Sequence, residues 1–174
     1  QTINTESTNW REMHMAASGS GKIAIFMQKN SGNQLYSQVG TISASNKSCT
    51  FGSATNLSSN GYGGGSGGYL SEPVWMSSST YACGWRKGGV ELGYVRTFSV
   101  SGTSVSLGSE HNIANSSNQL DGQPGLIYRN GKLVFMGRRK HPGNNLLLKC
   151  ASISGTSMSW GSVRTDSVIA YKQQ

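Results

Sequence analysis

The side chains in this chain that could do chemistry are mostly cationic, and they sit at the ends of alternating apolar runs. Arg86 and Lys87 close one run, Arg138, Arg139, Lys140 and His141 close another, and Lys29 ends an earlier one. Guanidinium forks suit carboxylates, sulfates and phosphates. Tyr62 and Tyr69 flank the run Gly63-Gly64-Gly65-Ser66-Gly67-Gly68, and such rings can stack on a sugar. The expected binding residues are therefore Arg86, Lys87, Arg138, Arg139, Lys140, His141, Tyr62 and Tyr69. The glycine run lacks the Gly-Lys-Ser/Thr ending of a phosphate-cradling loop and reads as a connection.

Other chemistries find little to work with. The chain holds only 7 Asp and Glu. Glycoside hydrolysis needs two carboxylates at a set separation. Glu72, Glu110, Asp121 and Asp166 are the candidates, and no pair can be assigned, so no catalytic residue and no enzymatic activity is expected. His14, His111 and His141 have no metal-ligand spacing, so neither metal nor cofactor is expected. Cys49, Cys83 and Cys150 form no Cys-x-x-Cys pair and are odd in number, which argues against a zinc site or a disulfide framework. Buried thiols acting as small hydrophobes are the expected state, in keeping with assembly in a reducing cytoplasm. The formal net charge of +8 favours anionic partners. No aromatic RNA-binding motif or recognition helix accompanies it, so nucleic acid is not expected. No run of about 18 apolar residues exists to span a membrane. Gln1 in first place predicts a processed chain or a piece of a longer one.

The elements that must position these residues are repeated. Val39 to Ser53, Phe98 to Ser109 and Cys150 to Ser162 each alternate, turn, alternate again and end in a large apolar residue followed by Gly-Ser. The large residues, Phe51, Leu107 and Trp160, lie roughly 55 residues apart, the spacing of a supersecondary unit used three times. The expected strands are 13–17, 22–27, 34–42 and 48–51 in the first unit, 74–76, 80–85, 90–100 and 104–107 in the second, and 125–128, 132–136, 146–153 and 157–160 in the third. Asn130-Gly131 and the two Ser-Gly-Thr-Ser turns supply hairpin chemistry. Ile42, Val100 and Ile153, with Cys49, Val105 and Met158 and then Phe51, Leu107 and Trp160, are the expected core positions. One all-β repeat domain follows, with repeats about 10–57, 72–113 and 123–165, and 166–174 as the opening strand of a further unit plus a tail. Four-stranded propeller blades fit best; a β-trefoil is the alternative, although its Gln-x-Trp motif is absent.

The residues Val39-Gly40-Thr41-Ile42 with Phe51-Gly52-Ser53-Ala54, Val100 to Ser109 and Ile153 to Ser162, entered by Gly21-Lys22-Ile23 and Gly131-Lys132-Leu133, carry a resemblance. They resemble repeats of bacteriophage tail fibres and related virion appendages, which look like sialidase-type propeller blades. The resemblance covers most of 13–171. Leu107 and Trp160 stand where Phe is usual, and the Asp-box of sialidases is missing from the outer hairpins. It implies a non-catalytic structural or host-surface recognition module of a virion, directed at a bacterial surface glycan and assembled in the host cytoplasm. A soluble lectin and a sialidase-like hydrolase are the alternatives. Three blades cannot close a ring, so the expected partners are further copies of the chain or other virion proteins. In an up-and-down unit, turns 1–2 and 3–4 share one face, here bland and Ser/Gly-rich with Lys47 and Arg129 nearby. Loops 2–3 and connections 4–1, including 110–123, share the other, where the basic residues should converge.

Overall fold

The computed structural model describes residues 10–29, 34–45, 47–57, 69–140 and 145–166, with backbone alone for Arg11 and Asp166. Three antiparallel sheets follow one another along the chain. Unit 1 runs β1 (Trp10–Ala17), β2 (Lys22–Lys29), β3 (Leu35–Ser43) and β4 (Ser48–Phe51), with β5 (Thr55–Asn56) also on β3. Unit 2 opens with two short pieces, β6 (Tyr69–Leu70) and β7 (Val74–Trp75), both paired with β8 (Thr80–Lys87), and continues through β9 (Leu92–Ser101) to β10 (Ser104–Ala114). Unit 3 runs β11 (Leu120–Arg129), β12 (Lys132–Arg139), β13 (Leu146–Ser154) and β14 (Ser157–Trp160), with β15 (Arg164–Asp166) also on β13. Each unit is thus a four-stranded meander, as propeller blades are. No strand of one sheet is hydrogen-bonded into another among the described residues, so the barrel that a trefoil requires is not formed.

The turns follow from their residues. Gly102 (φ 60°) and Gly155 (φ 58°) take the left-handed first position of the two-residue Ser-Gly-Thr-Ser hairpins. Asn130 and Gly131 both have positive φ, at 51° and 72°, as a type I′ turn requires.

Several sequence expectations are corrected. The fourth strand does not stop at the large apolar residue. It breaks at Gly-Ser and resumes on the same neighbour, as β5, as the second half of β10 and as β15. Glu110 to Ala114 is therefore strand, and β11 starts at Leu120, so the supposed 110–123 loop shrinks to a short link with a 3-10 turn at Ser116–Asn118. Asp166 belongs to the same resumption rather than to a further unit, and 167–174 lie outside the described residues. Tyr69 is in a strand, not a loop.

Packing between units has one repeated geometry. Each sheet has a front, made in the second strands by Ile23, Ile25 and Met27, by Tyr81, Cys83 and Trp85, and by Leu133, Phe135 and Gly137. Each has a back, made by Ala24 and Phe26, by Ala82 and Gly84, and by Val134 and Met136. The back of unit 1 (Ala24, Phe26, Leu35, Val39) packs on the front of unit 2 (Tyr81, Cys83, Trp85, Phe98, Val100). The back of unit 2 (Ala82, Val95, Ile113) packs on the front of unit 3 (Leu133, Phe135, Leu147, Ala151, Met158). Both junctions are rich in large apolar side chains, each contributing about 1.5–3 kcal/mol on full burial. At the first, Tyr81 stacks on Phe98 at 4.6 Å and shares a 2.6 Å hydrogen bond with Ser37. Burial raises the Tyr81 and Cys83 pKa values well above the ordinary range.

This geometry explains the Gly-Ser breaks. A Cβ on Gly52 would lie 2.8 Å from Thr103 Oγ1 and 2.9 Å from Thr103 Cβ, in the hairpin of unit 2. On Gly108 it would lie 2.8 Å from Thr156 Cβ, in the hairpin of unit 3. It also explains which expected core positions are covered. Val100 and Met158 are buried because a unit precedes theirs, whereas Ile42 in unit 1 is 42% exposed. Leu107, expected in the core, is exposed, and so is Cys150, which lies on the back of unit 3 with no unit behind it. Cys83 alone of the thiols is buried.

Candidate functional site

The basic rim forms where units 2 and 3 meet. The run of β8 ends in Arg86 and Lys87, and that of β12 in Arg138 and Arg139 followed by Lys140, so two second strands deliver their cations to one edge. Arg86 is buried; its Nε donates to Leu120 O at 2.8 Å and its Nη2 to Glu91 Oε1 at 3.0 Å. Its guanidinium lies 5.4 Å from the centre of the Tyr69 ring. Lys140 Nζ donates to the same Glu91 oxygen at 2.7 Å. That hydrogen bond, with the charges of Lys140 and Arg86, holds the Glu91 carboxyl below its ordinary pKa against a smaller opposing effect of burial.

Backbone clasps hold these groups in place. Leu120 N donates to Glu91 O and Lys140 N to Gln119 O, each at 2.7 Å. Arg139 Nη2 donates to Ser117 O at 2.9 Å, in the short turn that Asn115 caps through Ser117 N. Glu91 itself has φ 56°, two residues after Gly89 at 78°, in a tight connection from β8 to β9.

Of the residues expected to bind, the structure brings Arg86 and Lys140 together on Glu91, with the Tyr69 ring against Arg86, Arg139 next to Lys140, and Lys87 half-buried at the strand end. Arg138 points to the back of unit 3 and forms an ion pair with Asp121. Tyr62 and His141 lie outside the described residues. Glu91, the acid that organises the rim, was not singled out from the sequence; its signal was a lone acid in an otherwise basic connection.

A second concavity of about 600 Å³ is lined by Glu72, Asp121, Gln123, Leu126, Met136 and Arg138, among others. It gathers two of the four candidate carboxylates. Glu110 stands apart, in a strand pair with Arg96 at 2.5 Å. His14 is hydrogen-bonded to Glu12 at 2.8 Å, and the His111 ring lies 6.5 Å from that of Trp160. Among the described residues no group of three or more His, Cys, Asp or Glu could hold a metal ion. No helix is long and apolar enough to cross a membrane among these residues. No protein-family model matches the chain, and a search of the curated proteins finds no match.

Proposed function

We propose that the chain is a non-catalytic structural and host-surface recognition module of a bacteriophage tail fibre or related virion appendage, and that it engages an acidic bacterial surface glycan. The observation that carries the glycan reading is the Tyr69 ring: it is 37% exposed, with the Arg86 guanidinium beside it, and Arg86 in turn shares Glu91 with Lys140. An aromatic ring offers the apolar face of a sugar a flat surface, and the flanking cations offer a carboxylate or sulfate its counter-charge. Glu91, itself anchored by the buried Arg86, tethers Lys140, so that cation is oriented before a ligand arrives, which lowers the ordering cost of binding. The resemblance of the repeated units to tail-fibre blades supplies the virion part of the reading.

The test is a bacterial polysaccharide array followed by calorimetry on any hit. Tyr69→Ala and Lys140→Ala are each expected to weaken binding about tenfold, equivalent to about 1.4 kcal/mol. Added salt should weaken it further, because the pairing is partly ionic. Absence of any glycan hit, or equal affinity in Tyr69→Ala, would refute the rim as the binding site.

A further inference from the structure

The back of unit 3 and the exposed margin of the front of unit 1 carry the two halves of the junction that occurs twice inside this three-unit array. On the back of each sheet, equivalent positions in the third strand are Val39, Thr97 and Cys150, and in the second strand Phe26, Gly84 and Met136. Val39, Thr97 and Phe26 have no exposure and Gly84 is buried, because the next unit lies on them. Cys150 is exposed and Met136 is 42% exposed, with Ile127 beside them at 59%.

The front of unit 1 shows the counterpart. At the second junction β11 leads the contact onto β8, and Leu126 is the side chain nearest to Gly84, 3.3 Å from where its Cβ would be. Leu126 pairs with Phe135 as Met15 pairs with Ile25, so Met15 is its equivalent. Met15 is 56% exposed, Met13 41% and Ile42 42%, along the leading strand and outer hairpin of a front whose centre, Ile25 and Met27, is covered.

The third observation is Gly161. Its equivalent Gly52 must be small because the hairpin of the next unit leans on it, and Gly108 because that hairpin and Thr97 of its own sheet both crowd it. Among the described residues a Cβ on Gly161 would meet only Cys150 O, at 3.6 Å, and Gly161 is not among the residues with positive φ. Among the described residues neither crowding nor backbone conformation requires glycine there.

We propose that the back of unit 3 is a docking surface for the front of unit 1 of a second copy of this chain. The contact is head-to-tail, with Met15 and Ile42 of one copy set against Met136 and Cys150 of the other and the paired Ser43 and Ser48 end of β3 and β4 toward Gly161. Head-to-tail contacts close into rings when the rotation allows. Closed propellers hold about four to eight blades, and six is the one multiple of three in that range. Two copies therefore complete the ring through two identical junctions. This association stands independently of the glycan reading.

The test is sedimentation or light scattering of the full chain, with Met15→Glu and Met136→Glu as variants; both side chains are exposed, and circular dichroism checks that each variant folds. The wild type is expected at twice the 18.5 kDa of one chain. Each carboxylate, desolvated without a partner in both junctions, should weaken dimerisation at least about a hundredfold. Mixing the two variants should restore a dimer, since one wild-type junction then forms between them; a contact of like surfaces would not be restored. Thiol titration gives a second readout. Cys49, opposite Ile42 on the front of unit 1, and Cys150 should react slowly in the wild type and fast in either variant, while Cys83 stays unreactive in all. A monomeric wild type at all attainable concentrations, a mixture that stays monomeric, or a Cys150 equally reactive in wild type and variants would overturn the proposal.

Discussion

Gly108→Ala tests whether the Gly-Ser breaks exist for packing between units. The new methyl would lie 2.8 Å from both Thr156 Cβ and the Thr97 carbonyl oxygen, and closer still to Thr97 Oγ1. Two of these are backbone or Cβ atoms and cannot swing aside, so the hairpin of unit 3 and β9 at Thr97 must both give. Overpacking of this kind costs about 1–3 kcal/mol. The shift also strains the 2.5 Å hydrogen bond from Thr97 Oγ1 to Thr156 O, worth about 1 kcal/mol. Replacing glycine returns about 0.5–1 kcal/mol by restricting the unfolded chain. The net loss is about 1–3.5 kcal/mol, which lowers Tm by roughly 2–14 °C for a chain of this length. Gly161→Ala is the control. Its methyl meets one carbonyl oxygen at 3.6 Å, ordinary contact, so Tm should hold or rise by a few degrees. Both are measured by calorimetry in the Met136→Glu background, where association does not contribute. An equal fall in the two variants would refute the reasoning, because glycine would then serve the strand break itself and not the neighbouring hairpin.

Four further outcomes are expected. Tyr81→Phe should lose about 1 kcal/mol in urea unfolding, because the Ser37 hydroxyl keeps its bond to Ile25 O but loses its phenolic partner. Since burial raises their pKa values, Tyr81 and Cys83 should stay protonated in mild alkali, and spectrophotometric titration should find both silent until the chain unfolds. Glu91 has a lowered pKa when folded, so its contribution is present above the ordinary carboxylate value of about 4.3 and is lost as pH falls through the folded value; Glu91→Gln should cost about 1 kcal/mol at pH 7, with the gap to wild type closing in acid. A fluorogenic sialoside should not be cleaved, and hydrolysis abolished by Asp121→Ala would replace the non-catalytic reading with the hydrolase one.

Strand existence was legible because alternation with period 2 and hairpin glycines are local signals. Ser48–Phe51 and Ser157–Trp160 begin and end where their pattern does. The resumption of the fourth strand was not, since Gly-Ser after an apolar residue reads as a breaker. What overrides it is the length of β3, β9 and β13, whose inner halves leave backbone groups for a second segment to pair with. Alternation also separates two faces without telling which one is covered. Ile42 and Val100 hold the same place in the pattern and differ in burial only because a unit precedes the second. Of the rim, the cations were legible as isolated charges. Their shared partner Glu91 was not, because its role arises from a contact between Arg86 and a lysine far along the chain.

One position shows why basic residues at equivalent places should not be pooled into a single site. Gln28, Arg86 and Arg138 occupy the same place on the backs of their sheets. Gln28 is 2% exposed and Arg86 7% exposed, the latter hydrogen-bonded to the leading strand of unit 3 through Leu120 O. Arg138, with no unit behind it, is partly exposed, paired with Asp121, and lines the 600 Å³ concavity. Seen beside Arg86, that concavity marks where the leading strand of another unit would lie, rather than a cavity shaped for a small ligand. Closure of the ring would then turn Arg138 into a second Arg86, a buried guanidinium that joins two units. The cations left to meet a glycan would be those displaced outward along the same strands and loops, Lys87, Arg139 and Lys140. Arg138→Gln should accordingly weaken dimerisation while leaving glycan affinity unchanged, and Lys140→Ala should do the reverse. Should Arg138→Gln instead abolish glycan binding in a chain that still dimerises, the concavity and not the rim would be the ligand site.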